Sequence, residues 1–181
     1  MIKFQLAMVT SLTAGLIILV VLILVPAIPL KSLFQMPLVL ILWFLWILGV
    51  VTYRLLSNSN LRSSAYIRKY TPYSLALTLL FIVMGIIHQW LAMEVFLMAG
   101  YSFELVAGLL LYDDFKLIIG RGNALVFLVG ISLFILSLPL TIFKVPWPAM
   151  AGVLLKTVSI ARVITKAGSN TPIEERPPKA T

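Results

Sequence analysis

Charged residues fall in a few short blocks, and the runs between them are almost wholly apolar. No residue is charged from Phe4 to Leu30, between Lys31 and Arg54, or from Gly122 to Phe143. A helix needs about 20 apolar residues to cross a bilayer, so these runs predict spans over 6–28, 37–53 and 122–143. A further span over 72–93 opens at Thr71-Pro72, an N-cap followed by proline in the first turn. Pro26 and Pro29 close the first run, where their missing donors face the interface and not hydrocarbon.

Two segments break this rhythm. Residues 94–121 contain eighteen residues, Val95 to Tyr112, with the single charge Glu104. They read as an extracytoplasmic helix, a re-entrant hairpin or a fifth span, with breaks at Ala99-Gly100-Tyr101 and Gly120 to Asn123. Residues 148–167 gather Lys156, Ser159, Arg162 and Lys166 on one side, opposite Val153, Leu154, Val158, Ile160 and Ile164. That pattern predicts a helix lying in the membrane interface. The proline-bearing tail, 168–181, is expected to be disordered.

Composition supports the lipid reading. Hydrophobic residues make up 61% of the 181, charged residues 11%, and mean hydropathy is +1.09. A soluble domain is roughly 45–50% apolar and about 25% charged. The N-terminal run is too long for a signal peptide's apolar core of about 7–15 residues and reads as a retained span. With no cysteine, disulfides, thiolate metal sites and thiol chemistry are excluded.

The net charge is +8, and the placement of the cations sets the orientation. Cations flanking apolar runs are what the positive-inside rule produces, so nucleic acid is not expected as a partner. With four spans and a cytoplasmic N-terminus, Lys3, the Arg54–Lys69 loop and everything beyond Phe143 lie inside, which accounts for eleven of the fourteen cations. A fifth span would export the six cations of the tail, so four spans are expected, with both termini cytoplasmic. Trp90 and Trp147 then fall at opposite interfaces. The fold class is an all-α integral membrane protein of four transmembrane helices in a bacterial inner membrane, with an extracytoplasmic helical segment and a C-terminal interfacial helix.

Few residues carry candidate chemistry. His88 and Gln89 stand inside an apolar span, where polar groups bond between helices or serve function. A lone histidine without cysteine builds no metal site, and no cofactor is expected. Glu104 is either a pathway carboxylate or a solvated residue paired with Lys116 or Arg121. The neighbouring Asp113 and Asp114 point about 100° apart on a helix and do not converge. Arg54, Arg62, Arg68 and Lys69, with Lys156, Arg162 and Lys166, form a basic patch suited to anionic headgroups or an acidic cytosolic protein.

No phosphate-binding loop, dinucleotide fingerprint, hydrolase triad or zinc motif is present. The expectation is a non-enzymatic, homo-oligomeric membrane subunit that recruits a cytosolic partner through its basic elements. The alternatives are an oligomeric channel or transporter component, and a membrane component of phage defence or toxin immunity.

Overall fold

A computed structural model describes residues 2–169. It is all-helical: α1 (Ile2–Leu24), the short α2 (Leu30–Leu33), α3 (Leu38–Ser57), α4 (Ser64–Ile86), α5 (Trp90–Ile119), α6 (Arg121–Ile142) and α7 (Trp147–Ser169). All but α2 are long and apolar enough to cross a membrane. The chain is therefore a multi-pass helical membrane protein, with six helices of spanning length where the sequence suggested four.

The two extra helices come from the ambiguous segments. Residues 94–121 form neither a hairpin nor a broken element. They belong to the continuous thirty-residue α5, which runs through Ala99-Gly100-Tyr101 and stops only at Gly120. Gly120 has φ +82° with open space around it, a left-handed geometry that glycine reaches without a Cβ penalty.

The expected 72–93 span is also re-cut. Its helix begins at Ser64, places Pro72 in its interior, and ends at Ile86. Proline leaves the Arg68 carbonyl without its helical donor, and the Tyr53 hydroxyl lies 3.5 Å from that oxygen. The stop at residues 87–89 is a Schellman-type cap. His88 takes φ +60°, its N–H donates to Gly85 O at 3.2 Å, and Gln89 N–H donates to Met84 O at 2.9 Å. Lys144, at φ +59°, ends α6 in the same way, with Val145 N–H donating to Leu140 O at 3.0 Å. Histidine and lysine here occupy positions that glycine usually fills; the stop of α6 falls at the expected end of the 122–143 run, whereas nothing at 87–89 announces the stop of α4.

Short connections make consecutive long helices antiparallel. They form a ring in chain order, α1–α3–α4–α5–α6–α7, which closes where α7 packs on α1, and α5 also touches α7 inside α6. The tightest crossing is α6 on α7. A Cβ at Gly130 or Gly152 would collide with the opposite backbone, so two small residues let these helices approach closely. Around this crossing Phe127, Ile131, Phe134 and Ile135 of α6 meet Ala149, Val153, Ile160 and Val163 of α7, all buried.

An interfacial helix was expected over 148–167; α7 is of spanning length and packs into the bundle against α6 and α1. Ser159 is buried and Lys156 half-buried, whereas Leu154 and Val158 face outward. Of the side expected to be polar, Lys156 and Ser159 turn into the bundle while Arg162 and Lys166 are exposed, and Val153 and Ile160 of the expected apolar side are buried. Exposed leucine, valine, isoleucine and phenylalanine also line the outside of α1, α3, α5 and α6. An outward-facing apolar surface is what a helix surrounded by lipid presents. Of the expected tail, Gly168 and Ser169 belong to α7, and 170–181 lies outside the described residues.

Alternating helix directions sort the charges. One end of the ring carries Lys3, Arg54, Arg62, Arg68, Lys69, Lys116, Arg121, Arg162 and Lys166, with the acids Asp113 and Asp114. The far end carries Lys31, Lys144 and Glu94. Trp90 and Trp147, expected at opposite interfaces, both begin helices at this far end.

Candidate functional site

Halfway along the ring, away from both polar ends, two charges meet. Glu104 sits at the middle of α5 and Lys156 near the middle of α7. The Lys156 ammonium donates to Glu104 Oε1 at 2.8 Å. The lysine side chain is 13% exposed and the glutamate 36%, and the pair borders an internal cavity of about 250 Å³. That is well above the ~10–15 Å³ needed to admit one water, and close to the lower end of small-molecule pockets at ~300 Å³.

All six long helices contribute to the cavity wall: Ser11 and Gly15 from α1, Trp46 and Thr52 from α3, Ser74 and Thr78 from α4. Tyr101 and Glu104 from α5, Phe127 and Ile131 from α6, and Lys156 from α7 complete it. Tyr101 and Glu104, three residues apart, share one face of α5. The Tyr101 ring meets Phe134 edge-on at 5.6 Å, and the Lys156 ammonium lies 5.8 Å from that same Phe134 ring. Aromatic edges and faces thus guide the lysine toward the carboxylate.

Most polar groups of the wall are engaged with the scaffold. Ser74 Oγ–H donates to Gly100 O at 2.8 Å, and Thr78 Oγ1–H donates to the Ser74 and Leu75 carbonyls at 3.0 and 3.1 Å. Trp46 Nε1–H donates to Leu75 O at 2.9 Å, joining α3 to α4. The Thr10 and Thr52 hydroxyls meet at 2.8 Å, joining α1 to α3. Such bonds satisfy polar groups where water is scarce. Glu104 and Lys156 are the charged side chains among those lining the cavity.

The other candidate residues lie elsewhere. Glu104 pairs with neither Lys116 nor Arg121, which sit more than three helical turns along the chain at the basic end. Lys156 stands apart from Arg54, Arg62, Arg68, Lys69, Arg162 and Lys166, which gather at that end. There the Arg68 guanidinium donates to Ser57 O at 2.9 Å, and Arg162 donates to the Asn123 side-chain oxygen. The Lys69 ammonium lies 5.0 Å from the Tyr70 ring. His88 and Gln89 are exposed in the α4–α5 turn, outside the helices, with the His88 ring 5.3 Å from Trp90. Among the described residues no three histidines, cysteines or carboxylates group as metal ligands.

A second carboxylate, unremarked as a site from the sequence, is structural. Asp113 is exposed, but its neighbour Asp114 is buried beside the loop that starts α4. Its oxygens accept Arg62 N–H at 3.1 Å, Ser63 N–H at 3.1 Å and Ser63 Oγ–H at 2.7 Å. A carboxylate at a helix N-terminus satisfies orphan donors and complements the helix dipole. This bond set moves the start of α4 back from Thr71 to Ser64.

The Glu104–Lys156 pairing joins residues 52 positions apart, so no spacing motif encodes it. One signal did exist. Each is a lone charge in a long apolar run, Glu104 within 95–112 and Lys156 within 145–161, and the charges are opposite. An isolated charge in hydrocarbon needs a partner, and each was the other's best one. Chemically, the site is a neutral pair of opposite charges at the edge of a largely apolar chamber. Comparison of the chain with protein-family models, with curated proteins and with solved structures finds no match.

Proposed function

We propose that all six long helices cross the membrane, with the basic end cytoplasmic, and that the protein binds a small molecule at the Glu104–Lys156 pair as a transporter-type component. The cation bias supports the topology. Among the described residues nine cations lie at one end and two at the other, the asymmetry the positive-inside rule describes for a cell membrane such as the bacterial inner membrane. The sixth span also answers the objection to a fifth, because it returns the tail to the cytoplasmic side.

One observation carries the functional reading: an ion pair at mid-height opens on a cavity that every spanning helix helps to wall. A buried ion pair is at best near neutral for stability against well-packed apolar residues, so structural gain alone accounts for it poorly. Charges within membrane helices that face an internal cavity mark substrate and ion pathways.

The test uses purified protein in lipid nanodiscs and a panel of small solutes, read by thermal stabilisation. Wild type is expected to be stabilised by at least one solute that no longer acts on the double variant Glu104→Gln, Lys156→Met. A panel that never distinguishes the two proteins contradicts the reading.

The basic end favours a second, compatible role. Arg54, Arg62, Lys69, Lys116 and Arg121 are exposed there, with Asp113 the one exposed acid among the described residues at that end. Each such cation near an anionic leaflet contributes roughly 1 kcal/mol, which supports contact with anionic lipid or an acidic cytosolic protein. Native mass spectrometry should show retained phosphatidylglycerol on wild type and less on a variant with Arg54, Arg62 and Lys69 changed to glutamine. Equal retention sinks this role.

A further inference from the structure

We infer that the cavity takes a small apolar zwitterion, a molecule carrying one ammonium and one carboxylate on a hydrocarbon body, as an apolar amino acid does. This rests on the cavity being a binding site and names its ligand class.

Charge balance is the first argument. The cavity's charged lining is one carboxylate and one ammonium. A ligand with net charge would leave an uncompensated charge in a low-dielectric interior, which is unfavourable. A zwitterion keeps the total at zero.

Valence is the second argument. Lys156 donates to Oε1 of Glu104, which leaves Oε2, and the glutamate side chain is about one-third exposed and lines the cavity. An ammonium has three donors and a carboxylate about four acceptor positions, so both partners keep capacity after pairing. A ligand ammonium beside Glu104 and a ligand carboxylate beside Lys156 close a square of alternating charge. The existing pair need not break.

The walls supply the third argument. The donors of Ser74, Thr78 and Trp46 are engaged with backbone carbonyls, so that side offers few donors to a polyhydroxylated solute. What it presents instead is hydrocarbon, including Leu42, Leu75 and Ile82. At about 250 Å³ the chamber has room for one compact molecule.

The test is calorimetric titration of the nanodisc-embedded wild type at neutral pH with alanine, valine and leucine. 3-Methylbutylamine serves as the cationic probe and 4-methylpentanoate as the anionic one. At least one amino acid is expected to bind tenfold or more tightly than either single-charge probe. The inference is overturned if the amine or the acid binds as tightly as the best amino acid, or if none of the three amino acids binds. The broader solute panel judges the cavity's role separately, since a solute of another class can still stabilise wild type and fail to act on the double variant.

Glu104→Gln provides a readout that a purely structural pair would not move. Its cavity becomes net positive, so preference should invert, with 4-methylpentanoate gaining on leucine by at least tenfold. If that variant melts near wild type and keeps leucine preference unchanged, the inference fails. If it does not fold, Lys156→Met gives the mirror test, with 3-methylbutylamine gaining.

Discussion

Removing the Asp114 carboxylate should loosen the join between α5 and the start of α4, and the size of the effect follows from its bonds. It accepts two backbone N–H groups at 3.1 Å and one hydroxyl at 2.7 Å, and is buried. Hydrogen bonds to a charged group contribute about 1.5–3 kcal/mol each. They share one acceptor and are not additive, and the freed donors recover part of the loss if water reaches the loop. We therefore expect Asp114→Ala to cost about 3–5 kcal/mol, in the range for breaking a buried charged contact. For a chain of this size, about 2–4 °C accompanies each kcal/mol, so the melting temperature in detergent should fall by roughly 6–20 °C. Asp113→Asn is the control: that side chain is exposed, and a surface change stays within about 0.5 kcal/mol. If Asp114→Ala melts with Asp113→Asn, the carboxylate does not clamp this loop.

Other substitutions probe separate parts of the bundle. Glu104→Gln and Lys156→Met should each cost about 1–3 kcal/mol while the double variant costs less than their sum, the coupling being tempered because Glu104 is partly open. Additive losses in a thermal double-mutant cycle would deny the pair. Gly152→Val places side-chain atoms against the α6 backbone and should cost more than about 4 kcal/mol or abolish folding. Gly122→Ala meets open space in α6 and should gain up to about 1 kcal/mol, so a destabilised Gly122→Ala would contradict the packing around it. His88→Gly should raise stability by up to about 1 kcal/mol without altering ligand binding, because it relieves a left-handed backbone position. A loss of binding in that variant would return His88 to the functional site.

Much of the fold was legible as a pattern of charge-free runs, and the rest was hidden for identifiable reasons. The stop between α4 and α5 has no glycine or proline to announce it, since His88 supplies the left-handed turn. Pro72 and Thr71 looked like a helix start because the Asp114 clamp that extends α4 to Ser64 acts from 50 residues away. In the helix at 147–169 Lys156 and Ser159 meet other helices while Arg162 and Lys166 are exposed, a division that amphipathicity alone does not show. The site was half legible. Glu104 stood out by its isolation, while Lys156 was absorbed into a basic group whose other members sit at the basic end of the ring.

Everything proposed for the pair depends on all six helices crossing, and the side on which residues 122 and 144 emerge decides that. The chain has no cysteine, so single reporters can be placed without background at Ser59, Gln89, Gly122 and Lys144. Labelling of intact cells with a membrane-impermeant maleimide, then after permeabilisation, reads the side of each. Six crossings predict that 89 and 144 react from outside, whereas 59 and 122 react only after permeabilisation. Outside labelling at 122 with protection at 144 would restore a four-span chain and remove Glu104 and Lys156 from the middle of the membrane.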